Sequence, residues 1–415
     1  MIAKIVKSAQ RIAGEGILPT RLNTDRLETL ANYCEQQVSD KQFAGIAWQI
    51  NCQNESSGTR VHGYSDHKFE RLLQADSIYR VYSMTKPVIS VLCLILIERG
   101  LLQLNDPVSR WIPAFATQRV IGSKGELLPL HRCVTVEDLL THRSGLSYDF
   151  LPDCALATEY RKCELAEDGR RSLAELVNIL ANLPLAFQPG ERWYYSYSSD
   201  VLAHVLECVT DKPLRSLLKK ELLQPLGMQD TDFQVKESNR SRLADMFGQR
   251  SLGQLPDETV CTNQLLPMTV VGSYPSNCGE TFARGGIGLF STIDDYLKFM
   301  KVMQVGVSST GERLISRPMV DFMWCNRLSS EQMPIRIGQS AYPGYGWGLA
   351  GRVMDDPGQA TTLTSEGEGG WAGAASTYFW IDRQRRFSGV VMAQYLGSAI
   401  SLGSDIQSLG YSALQ

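Results

Sequence analysis

Hydrophobic positions near the start of the chain change their spacing twice. Between residues 21 and 38 they recur at helical spacing, as Leu27, Leu30 and Cys34 do, which predicts an amphipathic helix. Residues 43–50 and 59–64 are β-prone and flank a polar Asn/Ser/Gly turn, a pattern that predicts an antiparallel hairpin. A short extended run at 77–82 leads directly into an apolar stretch at 87–102, which predicts a buried helix.

The centre of the chain has helical patterns, and its last third returns to strands. Helices are predicted at residues 136–141, 173–183, 200–209 and 214–223. After a helix at 292–305, three glycine-punctuated strands and a closing helix are predicted at 345–350, 375–381, 387–392 and 400–414. We therefore expect one sheet assembled from residues 1–105 and 285–415, with 106–284 inserted as a mainly helical lobe. A small-molecule site is expected in the cleft between the two parts.

Composition and charge argue against several kinds of partner. The 415 residues are 43% hydrophobic and 20% charged, and 41 Lys and Arg against 44 Asp and Glu leave a net charge of −3. Because nucleic acids and anionic membranes attract an excess of basic residues, we expect neither partner. The longest apolar run, residues 88–97, is about half as long as a bilayer-spanning helix. Lys4 and Lys7 interrupt the apolar residues at the start of the sequence, so no secretory signal peptide is predicted. The sequence leaves the oligomeric state open.

The cysteines and histidines favour neither a disulfide scaffold nor a metal site. None of the ten cysteines forms a C-x-x-C pair, and several, such as Cys93 and Cys208, lie within apolar periodic stretches. We therefore predict free thiols that pack as small buried hydrophobes in a reducing compartment, the cytoplasm. The five histidines show no metal-binding spacing, and His62 and His67 lie in a polar loop where we expect exposure to solvent. No metal or organic cofactor is predicted.

The chain contains three Ser-x-x-Lys tetrads, a spacing in which a lysine can activate a serine nucleophile, and it contains no G-x-S-x-G elbow. The tetrad that begins at Ser65 lies in a strongly polar run, and the one that begins at Ser216 lies on an amphipathic helix beside other lysines. Both are expected to be solvated. The tetrad from Ser83 to Lys86 instead joins an extended run to the apolar helix.

The position of Ser83 suits nucleophilic chemistry. The following helix has Pro87 in its first turn, and its free N–H groups and dipole stabilise negative charge that develops at the serine. Lys86 returns to the same side of the helix after nearly one turn, within reach of the serine oxygen. Apolar surroundings would lower the pKa of the lysine amine, which could then accept the serine proton. For the tetrad on its own, the alternative is a helix-capping serine followed by a surface lysine.

Five further segments accompany S-M-T-K-P-V-I-S at residues 83–90, and they lie at 100–107, 134–146, 189–197, 284–292 and 311–315. The segment at 134–146 matches the pattern T-x-x-x-L-L-T-H-x-S-G-L. In motif and order, these segments resemble the class C β-lactamase-like serine hydrolases, which include penicillin-binding proteins, D-stereospecific peptidases and, most similar, the family VIII carboxylesterases. The resemblance implies an α+β fold in which an antiparallel sheet flanked by helices is joined to a helical lobe.

The family's second motif, Y-x-N, corresponds to Y-S-Y at residues 195–197. The resemblance implies that Tyr195 is the general base and acid, because an ammonium at Lys86 would favour the tyrosine anion and let the pair shuttle a proton. Tyr194 is the alternative if the register shifts by one, and a structural aromatic is the alternative for either. Tyr197 stands where β-lactamases have an Asn that contacts the substrate amide, which argues against lactam recognition.

The third motif, K-T-G in β-lactamases, corresponds to W-A-G at residues 371–373, similar to the W-x-G of family VIII esterases. The resemblance implies that Trp371 replaces a carboxylate-binding cation by an apolar wall, which favours neutral acyl groups. Gly373 would let the backbone approach the substrate, and the N–H groups of Ala374 and Ser83 would form the oxyanion hole. The alternative is a glycine-rich turn into an edge strand.

Tyr148 and Trp347 are further candidates for the acyl pocket, with a core aromatic as the alternative for each. The resemblance implies a serine carboxylesterase, a single catalytic unit that cleaves a small-molecule ester through an acyl-enzyme on Ser83. A transacylase, or an amide hydrolase acting on D-amino peptides or β-lactams, is the alternative on the same residues. A member that only binds a ligand in the cleft is the alternative outside enzymes.

Overall fold

Sixteen strands and eleven helices occur in the described parts of the chain, which are residues 21–151, 155–165, 171–248, 263–268 and 283–415 of a computed structural model. The strands, in chain order, are β1 (Gly45–Cys52), β2 (Glu55–Ser56), β3 (Arg60–Gly63), β4 (Tyr79–Arg80), β5 (Arg119–Ile121), β6 (Leu127–Pro129), β7 (Phe247–Gly248), β8 (Phe290–Ser291), β9 (Arg336–Ile337), β10 (Ser340–Ala341), β11 (Tyr345–Trp347), β12 (Arg352–Met354), β13 (Gly369–Gly373), β14 (Thr377–Asp382), β15 (Phe387–Met392) and β16 (Tyr395–Leu396). The helices are α1 (Thr24–Ser39), α2 (Thr85–Glu98), α3 (Val136–Leu140), α4 (Ala155–Lys162), α5 (Leu173–Asn182), α6 (Ser198–Thr210), α7 (Leu214–Leu218), α8 (Gln224–Leu226), α9 (Ile293–Val305), α10 (Arg317–Met323) and α11 (Leu402–Ser412).

The main sheet is built from both ends of the chain. Eight strands form it in the order β11-β12-β13-β14-β15-β1-β2, with β3 also pairing with β1. Every pairing in this sheet is antiparallel, and the long β1 and β15 pair from Ala47 opposite Met392 to Cys52 opposite Phe387. The predicted joining of the two chain ends in one antiparallel sheet is therefore confirmed.

Side chains along β14 alternate between two cores. Phe379 and Ile381 pack into the large core that the sheet shares with the central helices, whereas Tyr378 and Trp380 pack into a second core with α1 and α11. All residues of this strand are buried, because helices cover both faces of the sheet. The structure is thus the predicted α+β fold, an antiparallel sheet flanked by helices.

Most predicted elements lie within a few residues of the observed ones, and the departures have local reasons. The last predicted strand, at 387–392, is β15 residue for residue. The helix predicted at 214–223 is α7 followed by a π-helical turn at Lys219–Leu223. Neither β12 nor the β5–β6 hairpin was predicted, because strands of three residues are too short for an alternating pattern to stand out.

The central segment touches the sheet-bearing part before residue 285. Leu243 forms a parallel bridge with Ile78, and β7 pairs in parallel with β16 near the end of the chain. The lobe boundaries after residues 105 and 284 stay predictions. No helix in the described ranges has the length and apolar character needed to cross a bilayer.

Two expectations about cysteine and histidine were wrong. Cys93 is buried as predicted, but Cys208 is exposed because it lies on the outer side of α6, with its Sγ atom 3.8 Å from His204 Nε2. His67 is exposed as predicted, whereas His62 is half-buried. The indole N–H of Trp48 donates a hydrogen bond to His62 Nε2 at 3.4 Å. Residues 1–20, which include the segment examined for a secretory signal, lie outside the described residues, as do three cysteines, Cys154, Cys261 and Cys278.

Candidate active site

Ser83 lies in a single 3-10 turn, Tyr82–Met84, that runs into the start of α2. Tyr82 has a φ angle of 43°, in the left-handed region that bulky residues seldom adopt, and its side chain is completely buried. The start of α2 has no side-chain capping hydrogen bond. Ser83 therefore sits at a helix N-terminus, on a backbone that packing holds in an unusual conformation.

Lys86 is enclosed by protein and contacts Ser83. Its Nζ atom donates hydrogen bonds to Ser83 Oγ at 3.3 Å and to the carbonyl oxygen of Gly286 at 2.9 Å. Burial lowers the pKa of the Lys86 amine to about 7, although the carboxylate of Asp200 acts in the opposite direction. A large fraction of molecules therefore has a neutral amine at neutral pH, the state that can accept a proton.

The hydroxyl of Tyr195 completes a three-residue cluster. It hydrogen-bonds with the Ser83 side chain and accepts the indole N–H of Trp371 at 3.2 Å, and Lys86 Nζ lies 4.5 Å from the centre of its ring. Burial raises the pKa of Tyr195 above its usual value despite these hydrogen bonds, so the phenol keeps its proton at neutral pH. The tyrosine anion that the resemblance implied is therefore not favoured in the resting site, because desolvation disfavours the charged form of the phenol. Tyr194, the alternative, packs against Phe187 instead.

Ser83 and Tyr195 line one cavity of about 680 Å³. Four other predicted residues line the same cavity, namely Tyr148, Trp371, Gly373 and Ala374. Aromatic and aliphatic side chains such as Phe150, Ile287 and Tyr342 line it together with polar residues that include Arg352 and Thr361. The apolar acyl pocket beside the serine stays a prediction.

Strand β13 approaches the turn of Ser83 closely at Gly373. A Cβ atom added to Gly373 would lie 2.3 Å from the carbonyl oxygen of Val81 and 2.3 Å from Thr377 Oγ1, distances that no real side chain tolerates. The third motif therefore needs glycine at this position for a packing reason. This close approach brings Ala374 to the cavity beside Ser83.

Tyr197 and Trp347 do not line the cavity, which corrects their assignment to the substrate-binding set. The Tyr197 hydroxyl donates to Asp149 Oδ1 at 3.0 Å, and its ring packs 4.4 Å from that of Tyr148. The Trp347 indole donates to the carbonyl oxygen of Leu140 at 3.0 Å, and its ring lies 4.5 Å from that of Trp371. Both rings pack against residues that line the cavity, and their polar atoms are hydrogen-bonded away from it. For Trp347 this agrees with the alternative of a core aromatic.

Two buried residues of the site were not singled out from the sequence. Asp200, in the first turn of α6, accepts the backbone N–H of Gly286 at 3.1 Å and is 2% exposed. His142 has its ring 4.9 Å from that of Tyr195 and its Nδ1 atom 3.2 Å from Ser196 Oγ, and burial lowers its pKa well below the usual value. His142 belongs to the matched 134–146 segment, and an acidic residue at the start of an apolar helix was the available signal for Asp200.

The other two Ser-x-x-Lys tetrads lie elsewhere. Ser216 and Lys219 are exposed, as predicted. Ser65 is buried, contrary to expectation, because its Oγ atom accepts a hydrogen bond from Arg71 at 2.7 Å. Across the described ranges, no three His, Cys, Asp or Glu side chains converge in a geometry that could hold a metal ion.

Comparisons with known proteins agree with this geometry. The β-lactamase family model matches residues 30–407. An uncharacterised protein of Mycobacterium tuberculosis is 33% identical over 328 residues, which cover 77% of this chain and 78% of the relative. Esterase EstB of Burkholderia gladioli is 29% identical over 361 residues, 84% of this chain and 85% of the relative. Among solved structures, EstCE1, described as a hydrolase with promiscuous acyltransferase activity, superposes with a TM-score of 0.76 at 23% identity and covers 94% of this chain and 98% of its own.

Proposed function

Because this chain belongs to the β-lactamase family, we propose that it is a serine hydrolase that cleaves small carboxylic esters through an acyl-enzyme on Ser83. The observation that carries the proposal is the contact of Ser83 Oγ with the enclosed amine of Lys86 at 3.3 Å, beside a cavity that Ser83 itself lines. An amine with a pKa of about 7 is matched to proton transfer at neutral pH. The similarity to an esterase over most of both chains supports the same reaction class.

In the acylation step, neutral Lys86 takes the proton of Ser83 as the serine oxygen attacks the ester carbonyl carbon. The negative charge then moves to the carbonyl oxygen, which we place between the backbone N–H groups of Ser83 and Ala374. Tyr195 keeps its own proton in the resting state and hydrogen-bonds to Ser83, so it can donate to the departing alkoxide and be reprotonated from Lys86. The products of this step are an alcohol and an ester of Ser83.

In the deacylation step, a water molecule attacks the acyl-enzyme from the open side of the cavity. Lys86 and Tyr195 accept the water proton and return a proton to Ser83 Oγ, which restores the starting state. Both half-reactions use the same two groups because the amine and the phenol each contact the reacting serine oxygen.

The walls near Ser83 favour a neutral acyl group. Trp371 provides a ring where a lysine would bind a carboxylate, and Phe150 and Ile287 add apolar surface. Tyr197, at the position of the lactam-contacting Asn, bonds to Asp149 behind the wall and offers no polar group to the cavity. We therefore expect acetyl and butyryl esters as substrates and no turnover of β-lactams.

The acyl-enzyme has a second possible fate, transfer to an alcohol. The cavity volume of about 680 Å³ leaves room for an acceptor beside a short acyl chain. Adding a small alcohol to the assay and measuring the new ester against the free acid tests whether transfer competes with hydrolysis.

The test compares wild type with Ser83→Ala on p-nitrophenyl acetate, p-nitrophenyl butyrate and a chromogenic cephalosporin, and Ser216→Ala is the matched control in an exposed tetrad. We expect the wild type and Ser216→Ala to hydrolyse both esters and Ser83→Ala to lose at least about 10³-fold in kcat/KM. The wild-type rate should rise with pH through a midpoint near 7, since the amine of Lys86 must be neutral.

Equal, slow rates of the wild type and Ser83→Ala on all three substrates would overturn the enzyme proposal. Turnover of the cephalosporin alone would replace the esterase assignment by a β-lactam hydrolase. A fluorophosphonate adduct mapped by mass spectrometry to Ser216 rather than Ser83 would show that the nucleophile was chosen wrongly.

A further inference from the structure

We propose that Asp200 is a positioning residue of the active site, which holds Lys86 through the Gly286 peptide and supplies the carboxylate that balances its ammonium form. This inference rests on the proposed function, in which Lys86 is the general base. Asp200 Oδ1 accepts the N–H of Gly286 at 3.1 Å, and the carbonyl oxygen of the same residue accepts Lys86 Nζ at 2.9 Å. One residue of backbone thus connects the carboxylate to the amine.

The connection is tightly packed. A Cβ atom added to Gly286 would lie 2.7 Å from Asp200 Oδ2 and 2.9 Å from the Tyr148 hydroxyl oxygen, so these atoms converge on the glycine. A Cβ atom on Gly285 would lie 2.1 Å from the carbonyl oxygen of Ser199. The two glycines therefore let this segment lie directly against the start of α6, where the carboxylate of Asp200 can reach the peptide.

Of the titratable groups around Lys86, Asp200 is the carboxylate that balances the positive charge of the protonated amine. His142, after α3, has a pKa well below its usual value, and Tyr148 and Tyr195 have raised pKa values, so all three are neutral near pH 7. Arg284, just before Gly285, favours the ionised form of Asp200, although burial raises the pKa of that carboxyl. Among the described groups that act on the amine by charge, Asp200 alone favours the ammonium form.

The role follows from the opposing effects on Lys86. Burial alone would lower the pKa of the amine below about 7 and make it a weak base, whereas the Asp200 carboxylate raises it. A general base works best when its pKa lies near the working pH. Asp200 thus keeps the amine basic enough to take the serine proton, and the Gly286 carbonyl keeps it directed at Ser83.

The experiment measures, from pH 5 to 9, both kcat/KM for p-nitrophenyl butyrate and the rate at which a fluorophosphonate labels Ser83. Asp200→Asn keeps an acceptor for the Gly286 N–H but removes the charge, so we expect the acid limb of both profiles to move down by about one pH unit. Asp200→Ala removes the acceptor as well, and the rate at the high-pH plateau should then fall by a further factor of about 10. Asp200→Glu keeps the charge and should keep the acid limb close to that of the wild type.

The matched control is Asp295→Asn, a carboxylate that is also buried in the first turn of a helix but contacts Thr231 and Lys298 instead of the active site. It should lower stability without moving the acid limb. A ¹³C-lysine NMR titration of Lys86 gives the pKa of the amine directly, whether or not the protein turns over an ester, and we expect a lower midpoint in Asp200→Asn.

Each outcome has a separate meaning. If Asp200→Asn, like the control, lowers stability and leaves both the acid limb and the Lys86 titration unmoved, Asp200 is merely structural and the inference is wrong. If the wild type shows no Ser83-dependent turnover or labelling, the proposed function fails, and the NMR midpoint still decides whether Asp200 sets the charge of Lys86.

Discussion

At the scale of single residues, the proposed site depends on burying the amine of Lys86, which lowers the stability of the folded state. Lys86 is 2% exposed, and Asp200 beside it is equally enclosed. A lysine whose pKa falls from 10.5 to about 7 on folding destabilises the folded state by about 4 kcal/mol at pH 7. The surrounding apolar helix α2 and the large core offset this cost. Reactivity of the amine and loss of stability therefore have the same cause, the removal of water.

Replacing the buried amine together with its carboxylate by uncharged side chains should stabilise the protein while it abolishes activity. For the double variant Lys86→Met/Asp200→Asn, which removes both charges of the buried pair, we expect the free energy of unfolding at pH 7 to exceed that of the wild type by on the order of 3 kcal/mol. Between pH 7 and 9 the folded wild type has released the Lys86 proton and the unfolded chain still binds it, so wild-type stability rises with pH and the difference narrows. Urea unfolding of both proteins at pH 7 and pH 9 measures this.

Lys219→Met, at an exposed lysine of another Ser-x-x-Lys tetrad, is the control and should change stability little at either pH. A double variant less stable than the wild type at pH 7, or a difference equal at both pH values, would contradict this account of the amine.

At the scale of elements, the site depends on how closely β13 packs against the turn before α2. Trp371 and Gly373 are two residues apart on β13. The Trp371 indole donates a hydrogen bond to the Tyr195 hydroxyl, and Gly373 packs against the carbonyl oxygen of Val81. Thr377 Oγ1, at the start of β14, donates a hydrogen bond to the same Val81 carbonyl oxygen at 3.4 Å. The spacing between strand and turn therefore sets the position of Ser83 relative to Ala374.

Widening that spacing should impair catalysis more than stability. We expect Gly373→Ala to cost about 1–3 kcal/mol of unfolding free energy, since the added methyl group meets backbone at Val81. For the proposed esterase reaction, kcat/KM should fall by about 100-fold because the proposed oxyanion donors, the N–H groups of Ser83 and Ala374, would separate. Thermal unfolding and p-nitrophenyl butyrate kinetics provide the two measurements.

Gly358→Ala is the control for a glycine-to-alanine change, because a Cβ atom there would meet only an Asp356 carboxylate oxygen, at 3.1 Å. It should leave kcat/KM within about twofold of the wild type. Unchanged catalysis in Gly373→Ala would mean that the approach of β13 does not position the oxyanion donors.

At the scale of the whole molecule, the first and last described helices, α1 and α11, are joined to each other and pack on the sheet. The N–H of Asn23 donates to the carbonyl oxygen of Ala413 at 2.8 Å, and the Tyr33 hydroxyl donates to Asp405 at 2.6 Å. These bonds connect α1 to α11 above the second core. The sheet cannot form from either end alone, because β1 lies between β15 and β2.

We therefore expect the protein to unfold as one unit despite its 415 residues. Differential scanning calorimetry should show a single transition. Ile406→Ala, in the core under α11, and Leu180→Ala, in the core around α5, should each lower the midpoint of that same transition, since each removes a buried side chain worth about 2–5 kcal/mol. Two transitions, each sensitive to one substitution, would show separable lobes instead.

The sequence could predict the elements because hydrophobic spacing is a local property. The helix α1 and strand β15 were predicted within a few residues, since their apolar faces recur with the periods of helix and strand. Ser83 and Lys86 were predicted together for the same reason, because three positions are nearly one helical turn. Tyr195 came from a motif resemblance and not from spacing.

What the sequence could not predict involves contacts between distant positions. The assignments of Tyr197 and Trp347 placed both in the substrate pocket, yet hydrogen bonds to Asp149 and Leu140 hold them behind it. Cys208 looked buried because it lies within an apolar stretch, but it is on the side of α6 that carries His204, whereas Leu206 and Val209 pack into the core.

By itself, the amino-acid sequence determined the longer helices and strands, their α+β order and the pairing of Ser83 with Lys86, since all of these follow from neighbours along the chain. Only the tertiary structure decided that Lys86 is dehydrated enough to be neutral near pH 7, that Tyr195 keeps its proton, and that Asp200 reaches the amine through Gly286. The reason is physical, because the charge state of a buried group depends on the water and charges that folding removes or brings near, and these belong to residues far apart in sequence.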